Sequence, residues 1–469
     1  MSQPKNFGPH EVDPLEKPIH SVADLESLFY ETERRDTPCL LGIEYEVFGQ
    51  IDAGQKPLPF LGPVSIQTLF HSLATSTKKT DDPWTPYIEH DSIVALMGKR
   101  AVIALEPGGQ IEIAARPDAR LFDASSHLEQ VVQEISHHAK RLGIDLFALG
   151  IHPWAGRQDM AQVEKARYGV MRSYMSGLLG RGLDMMTRSC AIQINLDFKS
   201  ESDMAKKTKL AACLVPWYGL FSSSVAYIDK KPAPCALERG HVWRHTDPSR
   251  TGIPGVIFAR DFGYRAWIEF ALDVPMYFIR RGSTYHGVPG ASFRSFMKNG
   301  LLGMQASMRD FVDHLSCIFT EIRLKPILEL RTPDSLPLPM VHAFSALSFA
   351  LFYDHQAHEH ALEFFADMTP DELIALRNDV IDHGQAAQFR KKPVFDTAAK
   401  ILDWAQAGLD RVAEKENQPC IKTWLTPLKR LVEQQTTYAE WIKTHYAKLD
   451  TTTLPCLIKD FDPLNDPLQ

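Results

Sequence analysis

The sequence predicts an α+β protein in two parts: a mixed strand-and-helix part, then an all-helical one. Three observations carry this. Short runs alternate apolar and polar residues with the period of two that marks a half-buried strand. Longer segments between them repeat their apolar residues at helical spacing. From about Leu336 onward the strand-like runs stop. Composition agrees, because 44% hydrophobic and 23% charged residues in a 469-residue chain is ordinary globular usage. Fibrous repeats and wholesale disorder are excluded.

Taken in order, residues 1–38 are polar and Pro-containing, an N-terminal arm with a short helical stretch at about 22–34. Strands are predicted at 40–48, 101–105, 110–115, 190–198 and 326–331. The clearest helix is 122–142. There Ser126 and Glu129 have capping-box spacing, and Leu128, Val131, Val132, Ile135 and Leu142 share a face. Residues 39–335 make up the strand-bearing core, and 336–469 a helical part packed on it. In the helical part, Thr369-Pro370-Asp371-Glu372 is a helix start, with Thr at the N-cap and Pro at the first helical position. The pattern breaks near 391–393, and the last twenty or so residues read as a Pro-containing tail. The stretch DHQAHEHA, with His355, His358 and His360, is read as a solvated turn, because those spacings do not converge on a metal.

Charge and cysteine usage narrow the function. Lys+Arg is 51 against Asp+Glu 58, a net charge of −7, which argues against a nucleic-acid partner. No apolar run approaches the ~18 residues of a membrane span. The longest, 343–353, reads as a buried helix. The first residues lack the apolar core of a secretory signal. The seven cysteines are widely spaced with no C-x-x-C, which suits reduced thiols in the cytoplasm better than disulfides or structural zinc. P-loop, Rossmann, H-E-x-x-H and G-x-S-x-G motifs are absent.

The acids are where chemistry is expected. Alternation puts Glu44 and Glu46 on one face of the first strand, opposite Ile43, Tyr45 and Val47. By the same rule Gln110 and Glu112 share a face, as do Gln193, Asn195 and Asp197, and Glu329 and Arg331. Any one such strand is an ordinary half-solvated strand. Together they offer Glu, Gln, Asn and Asp with almost no Lys. If the strands share a sheet, the carboxylates crowd, and hard cations such as Mg²⁺ or Mn²⁺ are the natural compensation. Glu106-Pro-Gly-Gly-Gln110 is a tight turn that either closes a hairpin or brings backbone to a ligand beside Glu106. Arg188 and the segment His241 to Gly252, with Trp243 and Arg250, offer cations for carboxylate or phosphate, or surface ion pairs.

These stretches carry a resemblance. GIEYEVFG (42–49), LEPGGQIEI (105–113), ARYGVMRSYM (166–175), GLDMMTRSCAIQINLDFKSESDM (182–204), HVWRHTDPSRTG (241–252), ALDVPMYF (271–278) and HLSCIFTEIRLKPILELRTPD (314–334) are similar, in order and spacing, to the plant and proteobacterial type of glutamate–cysteine ligase. The resemblance implies a glutamine-synthetase-like antiparallel sheet core with flanking helices. It implies metal binding at Glu44, Glu46, Glu106, Glu112, Gln193 and Glu329, and nucleotide contacts at Gln110, Gln193, Asn195 and Arg331. It gives Arg188, Trp243 and Arg250 to the amino-acid substrates, and Arg331, Arg188 and Arg250 to catalysis.

The implied reaction uses ATP and Mg²⁺ (or Mn²⁺) to join the γ-carboxylate of glutamate to the amine of cysteine, the first step of glutathione biosynthesis. The sequence departs from the family pattern at Tyr45 and Val47, where His and Lys are usual. The late motif Arg-Tyr-Leu-Glu-Met-Arg-Gly-Ala-Asp is here Pro326-Ile-Leu-Glu-Leu-Arg-Thr-Pro-Asp334. Its acid and arginine positions remain. A ligase acting on another amine, a non-catalytic homologue and a phosphagen-type kinase are the alternatives.

Overall fold

The computed structural model describes residues 14–52, 56–76 and 81–467. Eight strands make the main path of one sheet. They are β1 (Leu41–Ile51), β2 (Thr85–Glu89), β3 (Ser92–Met97), β4 (Ala101–Leu105), β5 (Ile111–Ala115), β6 (Ile192–Leu196), β7 (Ile322–Leu324) and β8 (Leu328–Leu330). Their order is β7-β8-β6-β1-β5-β4-β3-β2, and every neighbouring pair is antiparallel. Two short strands, Lys56–Pro57 and Asp145–Phe147, pair with the far end of β1. This is the antiparallel α+β sheet that was expected.

Alternation decides which face is which. Ile43, Tyr45 and Val47 of β1, Ile111 and Ile113 of β5, Ile192 and Ile194 of β6 and Leu328 and Leu330 of β8 are buried. Helices Leu121–Arg141 and Leu338–Tyr353 lie against these strands. The helical part thus supplies some of the sheet's cover. Tyr353 ties the layers, donating to Leu40 O at 2.7 Å and accepting from Asp197 N at 2.8 Å. The other face carries the acids.

Several elements differ from the sequence expectations. The hairpin of β2 and β3 turns at His90-Asp91, both at positive φ. That dipeptide lacks the Asn-Gly or Asp-Gly signature of such turns, so the sequence did not announce it. β7 precedes the strand predicted at 326–331. The long helix starts at Leu121, with Ser126 inside it. Its first amides donate to the Glu416 carboxylate, Leu121 N at 2.8 Å and Phe122 N at 3.3 Å. A distant acid does the capping that Ser126 was expected to do. Thr369 caps helix Pro370–His383 as expected, accepting from Glu372 N at 3.2 Å. DHQAHEHA is a correction: residues His355–Phe364 are helical, capped by Asp354, and His358 is buried against Leu351 O at 2.9 Å. The tail contains a helix, Thr453–Asp460. All seven cysteines are free thiols.

Candidate active site

Register assembles the acids. Glu46 of β1 stands directly opposite Glu112 of β5. Glu44 stands opposite Gln193 of β6, and Asn195 opposite Glu329 of β8. The strands predicted separately are neighbours, and their polar residues share one face. Side-chain amides bridge them: Gln193 donates to Glu46 Oε1 at 3.0 Å, and Asn195 to Glu44 Oε1 at 2.8 Å. Ala191 N donates to Glu46 Oε2 at 2.8 Å.

Compensation is uneven across the face. Glu329 is fully buried and bonded to three cations. Arg323, its cross-strand partner, approaches in a fork, with Nη2 at 3.0 Å from Oε1. Lys325 Nζ lies 3.1 Å from Oε1, and Arg331 Nη1 3.3 Å from Oε2. Burial alone would raise the Glu329 carboxyl; Arg323, then Lys325 and Arg331, outweigh it and hold it well below the usual carboxylate range. At the other end, burial and then the Glu106 charge push Glu46 up to about 8. Burial, followed by Glu106, Glu44 and Glu46, pushes Glu112 well above its ordinary value. No cation bonds to Glu112 among the described residues.

A buried carboxylate is stable ionised only beside a cation or with enough hydrogen-bond donors aimed at it. The donors at this end are all oxygens, and Asn195 Oδ1 is buried without a partner. That donor set fits a hard divalent cation. Among the described residues no three acidic, His or Cys groups already form a closed cage. The residues present are therefore suited to Mg²⁺ but not drawn in around it. Glu329, also expected as a metal ligand, is bonded to Arg323, Lys325 and Arg331.

The remaining expected residues separate. The turn after Glu106 closes with Gly109 N donating to Glu106 O at 2.9 Å, and Gly109 has φ +83°. A Cβ on Gly108 would fall 2.0 Å from Thr187 O, so that glycine is there for backbone packing, not ligand approach. Gln110 braces the same junction. It donates to Ser189 O at 2.9 Å and accepts from Gly108 N at 2.8 Å, so both ends of its amide are engaged within the fold. Arg331 points from β8 toward the acids and bonds Gln193 Oε1 at 2.5 Å. It lies 5.8 Å from the Trp243 ring and 5.9 Å from Phe319, and the Trp243 indole nitrogen is buried without a partner.

Arg188 is buried in a separate polar cavity shared with Arg157, Arg181, Asp184 and Asp229. It donates to Asp229 at 2.8 Å, and its Nε has no partner. Arg250 is wholly enclosed. It bonds Asp247 at 2.7 Å, Pro275 O at 2.8 Å and Cys317 O at 3.1 Å, and stacks 4.0 Å from the Tyr277 ring centroid. None of these bonds reaches the acid face, and each guanidinium nitrogen has a partner within the fold. Sequence reasoning missed Arg323, Lys325, Lys165, Arg167 and Arg239. The first two had a signal: Ile322-Arg-Leu-Lys-Pro-Ile-Leu-Glu alternates across a turn and so puts Arg323 opposite Glu329.

Fold and site together define a class: an antiparallel-sheet α+β protein with carboxylates and amides gathered on one sheet face beside Arg323 and Arg331. The chain belongs to the glutamate–cysteine ligase family 2, whose model matches residues 40–450. The chloroplastic glutamate–cysteine ligase of Medicago truncatula is 33% identical over 402 residues, 84% of this chain and 78% of that one. The Arabidopsis thaliana enzyme is 33% identical over 410 residues, 86% and 77%. A Francisella tularensis glutamate–cysteine ligase solved with AMP spans 93% of this chain and 92% of its own at TM-score 0.47 and 12% identity, too loose a likeness to place a residue.

Proposed function

We propose that the protein is an ATP-dependent glutamate–cysteine ligase. The observation that carries the reading is the Glu46–Glu112 pairing, two facing carboxylates without a cation of their own, in a chain of this family. A γ-carboxylate oxygen of glutamate attacks the γ-phosphorus of ATP, and ADP leaves. The acyl phosphate then takes the cysteine amine at its carbonyl carbon, and phosphate leaves as the amide forms.

This chain's residues position and neutralise. Glu46 and Glu112, with Glu44 and Glu106, would hold the cations. Divalent cations there supply charge neutralisation and a template for the phosphates. Arg331, fixed by Glu329 and Gln193, presents its guanidinium toward the transferred phosphate. Tyr45 lies on the apolar side of β1, so its departure from the family pattern leaves the acids undisturbed. Thr332 lies in the cavity with Trp243 and Arg331, and that is where amine selectivity belongs. Free thiols throughout support a reducing compartment such as the cytoplasm.

Incubation with ATP, Mg²⁺, glutamate and cysteine should release ADP and yield γ-glutamylcysteine by mass. Turnover with another amine and none with cysteine would reassign the acceptor. No Mg²⁺-dependent ATP binding would remove the enzyme reading.

A further inference from the structure

Arg377 ties the helical part to the cavity beside Arg331. It lies on helix Pro370–His383 and is buried. Its Nε bonds the Glu321 carboxylate, its Nη1 donates to Asn378 Oδ1 at 3.3 Å, and its Nη2 is buried without a partner. Both members of the Arg377–Glu321 pair are shielded, with side chains 8% and 12% exposed. Desolvation offsets much of the attraction in such a pair, so its place in the fold asks for a reason other than stability.

Glu321 carries the pair's geometry to the end of β8. Its carbonyl accepts from Arg331 N at 3.1 Å, and its Oε2 accepts from the Thr332 hydroxyl at 3.1 Å. Arg239 holds the carbonyls of the same two residues, donating to Thr332 O at 2.9 Å and to Arg331 O at 3.2 Å. The backbone is thus fixed by Arg239 and by the Glu321 main chain. The Thr332 side chain is fixed by something else. Its hydroxyl is held by the Glu321 carboxylate, which Arg377 holds in turn. Its methyl faces helix Glu201–Ser222, with Cγ2 3.7 Å from the point a Cβ on Gly219 would occupy. Thr332, Glu321, Arg377 and Arg331 line one cavity with Trp243, and Val215, Leu237, Val380 and Ile381 give it apolar walls.

A β-branched side chain has few χ1 wells, and one held at both arms keeps a single well. Thr332 is held in that way, so it sets the width of the cavity beside Arg331 to within a methyl group. One methylene in a close-fitting pocket discriminates substrates by roughly 10- to 200-fold. We propose that Arg377 is a positioning residue: through Glu321 it holds Thr332 as the wall that limits the size of the acceptor amine. The inference rests on the ligase reading for the occupant of the cavity. It gives the helical part a share in choosing the substrate as well as in covering the sheet.

Full-length Arg377→Gln and Thr332→Val test it, with cysteine and its homologue one methylene longer as alternative acceptors. Thr332→Val keeps the shape of the side chain and removes the hydroxyl. In each variant the preference for the shorter amine, as a ratio of kcat/KM, should fall about 10-fold. The change should sit in KM for the amine, with KM for glutamate and for Mg·ATP unchanged. The double variant should fall no further than either single one, because both act through one hydrogen bond. Arg377→Lys, which keeps the charge without the fork, should lie between the wild type and Arg377→Gln. An unchanged preference in Thr332→Val would overturn the proposal. So would an equal loss for both amines, the result a merely structural pair would give. If Arg377→Gln unfolds, Thr332→Val decides by the same two criteria. If the wild type uses an amine other than cysteine, that amine and its longer homologue take the two places. No wild-type turnover with any amine would remove the ligase reading and this inference with it. Turnover with an unmoved preference removes this inference alone.

Discussion

Glu329 and Glu112 lie on one face of one sheet, with β6 and β1 between their strands. Glu329 is wrapped by Arg323, Lys325 and Arg331, and its proton affinity is depressed. Glu112 faces Glu46, has no cation bonded to it, and its proton affinity is raised. Glu329 is fully buried and Glu112 partly so, and what separates them most is supplied charge. At the β8 end the chain provides the counter-charge and builds a rigid post for Arg331. At the β1–β5 junction it withholds it. The same side chain is tied into the fold in one place and is a proposed cation ligand in the other.

The largest expected effect breaks the matched end. Arg323→Met leaves fully buried Glu329 short of its forked partner, and removing one member of a buried pair costs about 3–5 kcal/mol. Urea unfolding should show the loss, and adding Glu329→Gln to Arg323→Met should recover most of it. The unmatched end should respond in the opposite sense. Glu112→Gln removes a carboxylate the fold does not neutralise. Stability in divalent-free buffer should hold or rise, while ligase turnover falls about 10²–10³-fold. A destabilisation by Glu112→Gln as large as that of Arg323→Met would erase the distinction.

Acidity separates the two ends further. A carboxyl whose folded pKa is raised binds its proton more tightly when folded, so its stabilising contribution fades as pH rises. Glu46 moves from 4.5 to about 8, so metal-free stability should fall between those values. Glu329 is lowered, so its contribution is present above pH 4.5 and is lost as the pH drops below that. Thermal unfolding from pH 5 to 8.5 in EDTA should slope downward, and Mg²⁺ should flatten the slope by stabilising the ionised acids. An identical slope with and without Mg²⁺ would place the cation elsewhere.

Much of this face was legible beforehand. Period-two alternation placed Glu44, Glu46, Glu112, Gln193, Asn195 and Glu329 on the polar sides of their strands, because side-chain direction is a local property. The pairing of Glu46 with Glu112 was not legible, since strand order is a long-range outcome. The surroundings of Arg250 and Gln110 were not legible for the same reason. Their side chains are spent on backbone carbonyls contributed by distant segments, Pro275 and Cys317 for one and Ser189 for the other.

Glu416 offers a third way to satisfy a carboxylate and the smallest expected effect. It sits at the end of helix Val394–Glu416 and accepts from Leu121 N and Phe122 N. Burial raises its carboxyl, and the two amides partly offset that. Here the compensation is chiefly backbone polarity, with the Arg120 charge adding to it, and no bound cation is needed. Glu416→Ala should therefore cost about 1 kcal/mol, the loss of a helix cap. Turnover and the Mg²⁺-induced shift of the thermal midpoint should be unchanged. A loss as large as that of Arg323→Met would mean that this contact, not only Leu338–Tyr353, holds the helical part against the sheet. A changed Mg²⁺ response would mean that the β1–β5 junction is not where the cation acts.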